Sequence, residues 1–263
     1  MKLFRLFRLA LVSAVGVGSL FVLCLPLLSQ NLRVGFSGSV PLDTTLEKMN
    51  DTLQVADQAS KADLLKRLGL NADVAEAGAS SSISPPGIAI RSIRSHSRRP
   101  FGIVTLPCGT GSETFLYLLG KDERGTWHVV DSAGFDCFGG TPTYSLLSFI
   151  PGEDDVFVQH ANSGHGSNEL EDSATLYTVQ NGHLRKLLTT PDHTIRGGLI
   201  DVPVVDQTST FLQLPGQMIE ETRISSNEGL PVRAERRIWR WQARQQVFRA
   251  TPFRVIGEAE KPH

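Results

Sequence analysis

Gly109-Thr-Gly111-Ser112-Glu113-Thr-Phe115-Leu116-Tyr117 returns sixty positions later as Gly164-His-Gly166-Ser167-Asn168-Glu169, a short polar insert and Thr175-Leu176-Tyr177. Each Leu-Tyr run leads through a turn into a second apolar run. These are Trp127-His-Val129-Val130 in the first copy and Leu184-Arg-Lys-Leu187-Leu188 in the second. Arg237-Ile238-Trp239-Arg-Trp241, followed by a turn and Val247-Phe248, is a third and looser copy. The spacing from Tyr117 to Tyr177 is 60 residues and from Tyr177 to Trp239 it is 62. A period of this length points to supersecondary units that stack or are arranged radially.

From position 88 onward the apolar runs are short, rich in Val, Ile, Phe, Tyr and Trp, and separated by turn residues, which predicts a mainly β domain with antiparallel strands. The expected strands are 101–106, 114–119 and 126–130 in the first unit. The second has 155–160, 174–179 and 183–188, and the third has 210–214, 237–241 and 246–249 with an insert over 215–235. Asn181-Gly182 is the clearest hairpin signal, because both central positions of a type I′ turn need positive φ. Segments 144–150 and 199–205 are apolar enough to add a fourth strand to a unit. Four strands per unit describe propeller-like blades.

Over about 160 residues the period and strand order resemble, in outline, the repeats of integrin-type (FG-GAP) propellers. Blades of that family carry a calcium loop of the form Asp-x-Asp-x-Asp-Gly. The loops here are Pro107-Cys108-Gly109-Thr110-Gly111 and Asn162-Ser163-Gly164-His165-Gly166, which lack the carboxylates a hard cation needs. With three units and no calcium loop, membership is not assigned. The fold expected is an open propeller-like stack or a sandwich.

Ahead of the repeats, Lys2, Arg5 and Arg8 precede an uncharged run over 9–32 whose apolar centre, 9–28, is long enough as a helix to cross a bilayer. Basic residues on its N-terminal side direct the rest of the chain outward. Residues 1–32 are therefore expected to be a signal peptide or a single-pass signal anchor, leaving the chain anchored with its N-terminus inside, or periplasmic or secreted. Without those three cations the remaining chain has 23 basic and 27 acidic residues, a net charge of −4, which argues against nucleic acid as a partner.

Residues 33–87 divide into an amphipathic helical part and a linker. Leu46, Met49, Leu53 and Ala56, then Leu64, Leu65 and Leu68, follow helical spacing. Asp43 is the expected N-cap, Gly69 the expected C-cap, and a break is expected near Ser60. Such a helix either packs on its own domain or forms a stalk. The Ser- and Pro-rich stretch 79–87 is expected to bound the β domain, assigned to 88–256 with a tail over 257–263. The basic stretch 91–99, with Arg91, Arg94, Arg98 and Arg99, is either a contact for anionic lipid or cell-wall polymer or, the preferred reading, an edge strand and solvated loop.

Chemistry is sparsely signalled. Cys24 lies in the apolar leader, so the exported part has Cys108 and Cys137. In an oxidising compartment these two either pair, contributing about 3–4 kcal/mol by chain entropy, or remain separate buried thiols. The Gly-x-Gly-Ser loops lack the Lys of a phosphate-binding loop and open strands, so a structural turn is the expectation. Among the histidines, His160 and His165 with Glu169 form the candidate polar loop, too loosely spaced for a recognisable metal set. No cofactor is expected. The function expected is a non-catalytic module that binds a protein or envelope polymer. The alternative is an exported hydrolase using His160 to His193 with Asp154, Asp155 or Glu169.

Overall fold

The computed structural model describes residues 40–80, 87–107, 113–136, 142–162, 169–197, 204–226 and 233–258. Residues 1–32, expected to be a leader or anchor, lie outside them, as do Cys108 and Cys137. Three helices come first: α1 (Leu46–Val55), α2 (Gln58–Leu68) and α3 (Ala72–Ser80). The N-cap of α1 is Thr45, whose hydroxyl accepts from Lys48 N at 3.2 Å. The break falls at Ala56 and Asp57, where Asp57 caps α2 through Ser60 N at 2.8 Å. Gly69, with φ of +102°, ends α2 in the left-handed region, as its sequence position predicts. Helix α3 occupies the Ala-rich segment in front of the linker and was not anticipated.

All strand pairs are antiparallel, and within each of the two sheets successive strands pair in chain order, except that the last strand pairs with the last but two. The first layer comprises β1 (Ala89–Ile93), β2 (Phe101–Thr105), β3 (Glu113–Lys121) and β4 (Trp127–Asp136). The second comprises β5 (Thr143–Leu147), β6 (Asp155–Asn162), β7 (Glu169–Gln180) and β8 (His183–Arg196). The third comprises β9 (Val205–Leu214), β10 (Gln217–Ser226), β11 (Arg233–Gln242) and β12 (Val247–Ala250), with β13 (Arg254–Glu258) also paired to β11. Strand β10 falls within the stretch expected to be an insert, and β13 overlaps the expected tail.

The second and third layers are hydrogen-bonded through residues 193–196 of β8 and 205–208 of β9. Beyond that seam they part, and an apolar cluster fills the wedge between them.

Three cores alternate with the sheets. Met49, Leu53, Leu65 and Leu68 from the helices meet Ile90, Val104, Tyr117 and Leu119 on one face of the first layer. The helices thus share a core with the β region across the 79–87 stretch. Gly102 permits the contact, since a Cβ there would lie 2.4 Å from Leu46 Cδ1. On the opposite face, Ile103, Leu116 and Leu118 meet Val156, Val158, Tyr177 and Val179 of the second layer. Phe157, Leu176 and Leu188 then meet Met218, Phe248 and Trp239 of the third. Strands β3 and β7 are covered on both faces, which explains their unbroken apolar runs.

The pairing registers of the three layers place residues in corresponding rows. Val104 lies opposite Tyr117, Val156 opposite Tyr177 and Met218 opposite Trp239. On the other side of these pairs are Ile90, Leu146 and Gln213. In every layer this row faces the layer before it, and the neighbouring Leu116 and Leu176 face the layer after. The outward face of the third layer carries exposed Leu212 together with Arg223, Arg236 and Arg240.

Candidate functional site

A cavity of about 1060 Å³ opens at one end of the stack. The first layer contributes the loop after β1, with His96 and Arg99, and the end of β3 at Lys121. The second contributes residues 150–153 between β5 and β6, and the β7–β8 turn from Thr178 to Arg185. The third contributes Gly216 between β9 and β10, and the β11–β12 turn with Trp241 and Gln246. The same two connections therefore line the cavity in each layer. The Gly-x-Gly-Ser segments 109–112 and 164–167 lie outside the described residues.

Turn chemistry fixes these walls. Asn181 and Gly182 have φ of 54° and 82°, as expected for the type I′ hairpin. Gln246 also adopts positive φ, at 51°. Ties between layers hold the turns in place. Arg94 Nε and Nη2 donate to Asp154 Oδ1 at 2.9 and 2.6 Å, and Asp154 N donates to Arg94 O at 2.9 Å. His96 Nδ1 bonds Glu153, whose other carboxylate oxygen accepts from Thr178 Oγ1 at 3.1 Å. Gln180 donates to Gln246 across the second and third layers and accepts from Arg185. Gly216 N donates to Phe149 O at 3.0 Å.

Behind the 150–153 loop, Asp155 is fully buried and accepts from Phe149 N and Ile150 N, both at 3.1 Å. Burial raises its pKa to about 6, only partly offset by those amides. Burial also pushes Asp154 upward, but Arg94 outweighs it and holds that carboxyl below its ordinary value.

Asp155 makes stability depend on pH. Between about pH 4 and pH 6 the folded protein keeps a proton that the unfolded chain releases, so stability falls as pH rises through that window. At about 1.4 kcal/mol per pH unit the loss approaches about 3 kcal/mol above pH 6. Asp155→Asn is expected to remove this component, which thermal melts of both proteins from pH 4 to 7 will read. Parallel wild-type and variant profiles would overturn the assignment.

The expected His–carboxylate region lies at the opposite end of the second layer. His160 is buried, with Nδ1 2.9 Å from Asp136 O and Nε2 3.4 Å from Thr175 Oγ1, and its ring packs against Phe135. His165 and the side chain of Glu169 lie outside the described residues, as do Cys108 and Cys137. His193 Nε2 is 3.0 Å from Asp206 Oδ1, and Nδ1 is 3.7 Å from Asp172 Oδ2. Burial raises the pKa of Asp172 despite the opposing pull of His193. His193 thus faces carboxylates on both sides, next to the seam between β8 and β9. This arrangement ties β8 to β7 and β9. Asp154 and Asp155 belong instead to the cavity end, so the residues considered for a hydrolase are divided between two ends of the stack. Among the described residues, no three His, Cys, Asp or Glu side chains are placed to hold a metal ion.

No protein family, curated protein or solved structure matches the chain. Among the described residues no helix is long and apolar enough to cross a membrane, and residues 9–28 lie outside them. The cavity residues were missed in the sequence because they occupy turns of ordinary composition. Their available signal was positional, since each follows the first or third strand of its unit.

Proposed function

We propose that this chain is an exported, non-catalytic β-repeat module that holds a protein or envelope polymer in the cavity at one end of its stacked layers. Residues 9–28 serve as its leader or membrane anchor, and the three layers are blades of an open, propeller-like stack. One observation carries the binding reading: corresponding connections from all three layers converge on one cavity. Repetition of a scaffold with variable loops at one end is a common way to build a binding surface. The separation of His160 and His193 from Asp154 and Asp155 supports binding over hydrolysis.

The test places a photo-crosslinking amino acid at His96, Asn181 or Gln246, one position per layer, in the full chain in intact cells. A control carries it at Lys48, which is exposed on α1. A shared adduct from the three cavity positions and none from Lys48 is expected. Equal adducts at Lys48, or none at the cavity, would overturn the reading. Labelling of Lys48→Cys by a membrane-impermeant thiol reagent in intact cells tests export, and protection until lysis would refute it.

A further inference from the structure

The charge lining the cavity identifies a class of ligand. Arg99 comes from the first layer and Arg185 from the second, so two permanent cations line the same space, while the Lys121 ammonium lies over the Trp127 ring, 5.0 Å from its centroid, toward the helix side. Among the described residues Glu153 is the one carboxylate lining the cavity, and it is turned inward. Its side chain is 15% exposed, and its two oxygens are engaged by His96 and Thr178. The side chains of Arg99 and His183 are exposed at the rim. The cavity is therefore cationic, although the exported chain as a whole carries a net negative charge.

Shape narrows the class. At about 1060 Å³ the space lies at the upper limit of ordinary small-molecule sites and accommodates several units of a polymer. Its walls are turns and strand ends, so an extended peptide finds no free ladder edge on which to add a strand. Half-buried Trp241, packed against Phe248 at 5.2 Å between ring centroids, instead offers an aromatic wall beside the cations. We infer that the cavity binds an anionic polysaccharide, with its carboxylates between Arg99 and Arg185 and a sugar ring against Trp241. This inference rests on the cavity being the binding site.

Affinity electrophoresis of the detergent-solubilised full chain tests it, with polygalacturonate as the probe. Its methyl ester keeps the ring and removes the charge, and poly-glutamate keeps the charge and removes the ring. Wild type is expected to bind polygalacturonate at least about tenfold more tightly than either comparison polymer. The affinity should weaken as salt rises. Arg99→Gln combined with Arg185→Gln is expected to lose about tenfold or more, with an unchanged melting temperature reporting intact folding. Arg99→Gln, on an exposed loop, supplies a second variant that leaves the core untouched.

Equal affinity for the acid and its ester would overturn the anionic assignment. Preference for poly-glutamate would overturn the polysaccharide class in favour of an acidic peptide. Failure to bind any of the three, with the cavity cross-links still present, would overturn the ligand class while the binding site stands. Loss of those cross-links as well would overturn both.

Discussion

Arg237→Met is expected to destabilise the protein by about 3–5 kcal/mol, the cost of removing one member of a buried ion pair. Glu220 is 1% exposed, and its two oxygens accept from Arg237 Nε and Nη2 at 2.7 and 3.0 Å. Thr190 Oγ1 and Trp239 Nε1 also donate to it, at 3.0 and 2.7 Å. Arg237 lies over the Trp239 and Phe253 rings, 4.6 and 4.2 Å from their centroids. Removing the guanidinium leaves a carboxylate between the second and third layers with two neutral donors and no cation. Urea denaturation should show the loss as a lower midpoint with little change in slope. Glu220→Gln with Arg237→Met should be more stable than Arg237→Met alone, because no uncompensated charge remains. If the double variant is the less stable, charge compensation is not what holds this network.

Phe149→Ala is the second large effect, expected at about 3–5 kcal/mol from lost transfer energy and a residual cavity. Phe149 is 1% exposed and packs edge-on to Phe248, with ring centroids 5.9 Å apart. Its amide donates to Asp155 and its carbonyl accepts from Gly216, so the same residue joins the second and third layers behind the binding cavity. The variant should weaken polymer binding as well as folding, because the 150–153 wall depends on this anchor. A loss below about 1 kcal/mol in urea denaturation would mean that the wedge collapses around the gap and that Phe149 is not a principal tie.

The repeat was legible because both faces of β3 and β7 are buried. The covered runs Phe115 to Leu119 and Leu176 to Val179 therefore stand out beside half-exposed strands. Strand β10 escaped notice because Met218, Glu220 and Thr222 share its inner face, two of them polar and held by Arg237 and Ser209. A polar network inside a sheet interface removes the alternation by which such a strand is recognised. Helix α3 was obscured by Ala and Gly residues, which pack closely while adding little hydrophobic contrast. At the candidate site, Asn181-Gly182 was visible as a turn. Its meeting with His96 and Gln246 depends on pairing registers far apart in the chain. The Gly-x-Gly-Ser motif is the more conspicuous signal in the sequence because repetition is easier to see in glycine than in a set of dissimilar turns.

The two outer faces of the stack are closed by different means. Helices α1 to α3 cover one, while the other bears Arg223, Arg236 and Arg240 around a small apolar row. Such ends act as caps on a linear array, where interior units each need two neighbours and terminal units need only one. Neither outer face therefore offers a further layer the apolar seat that the first and second layers offer one another.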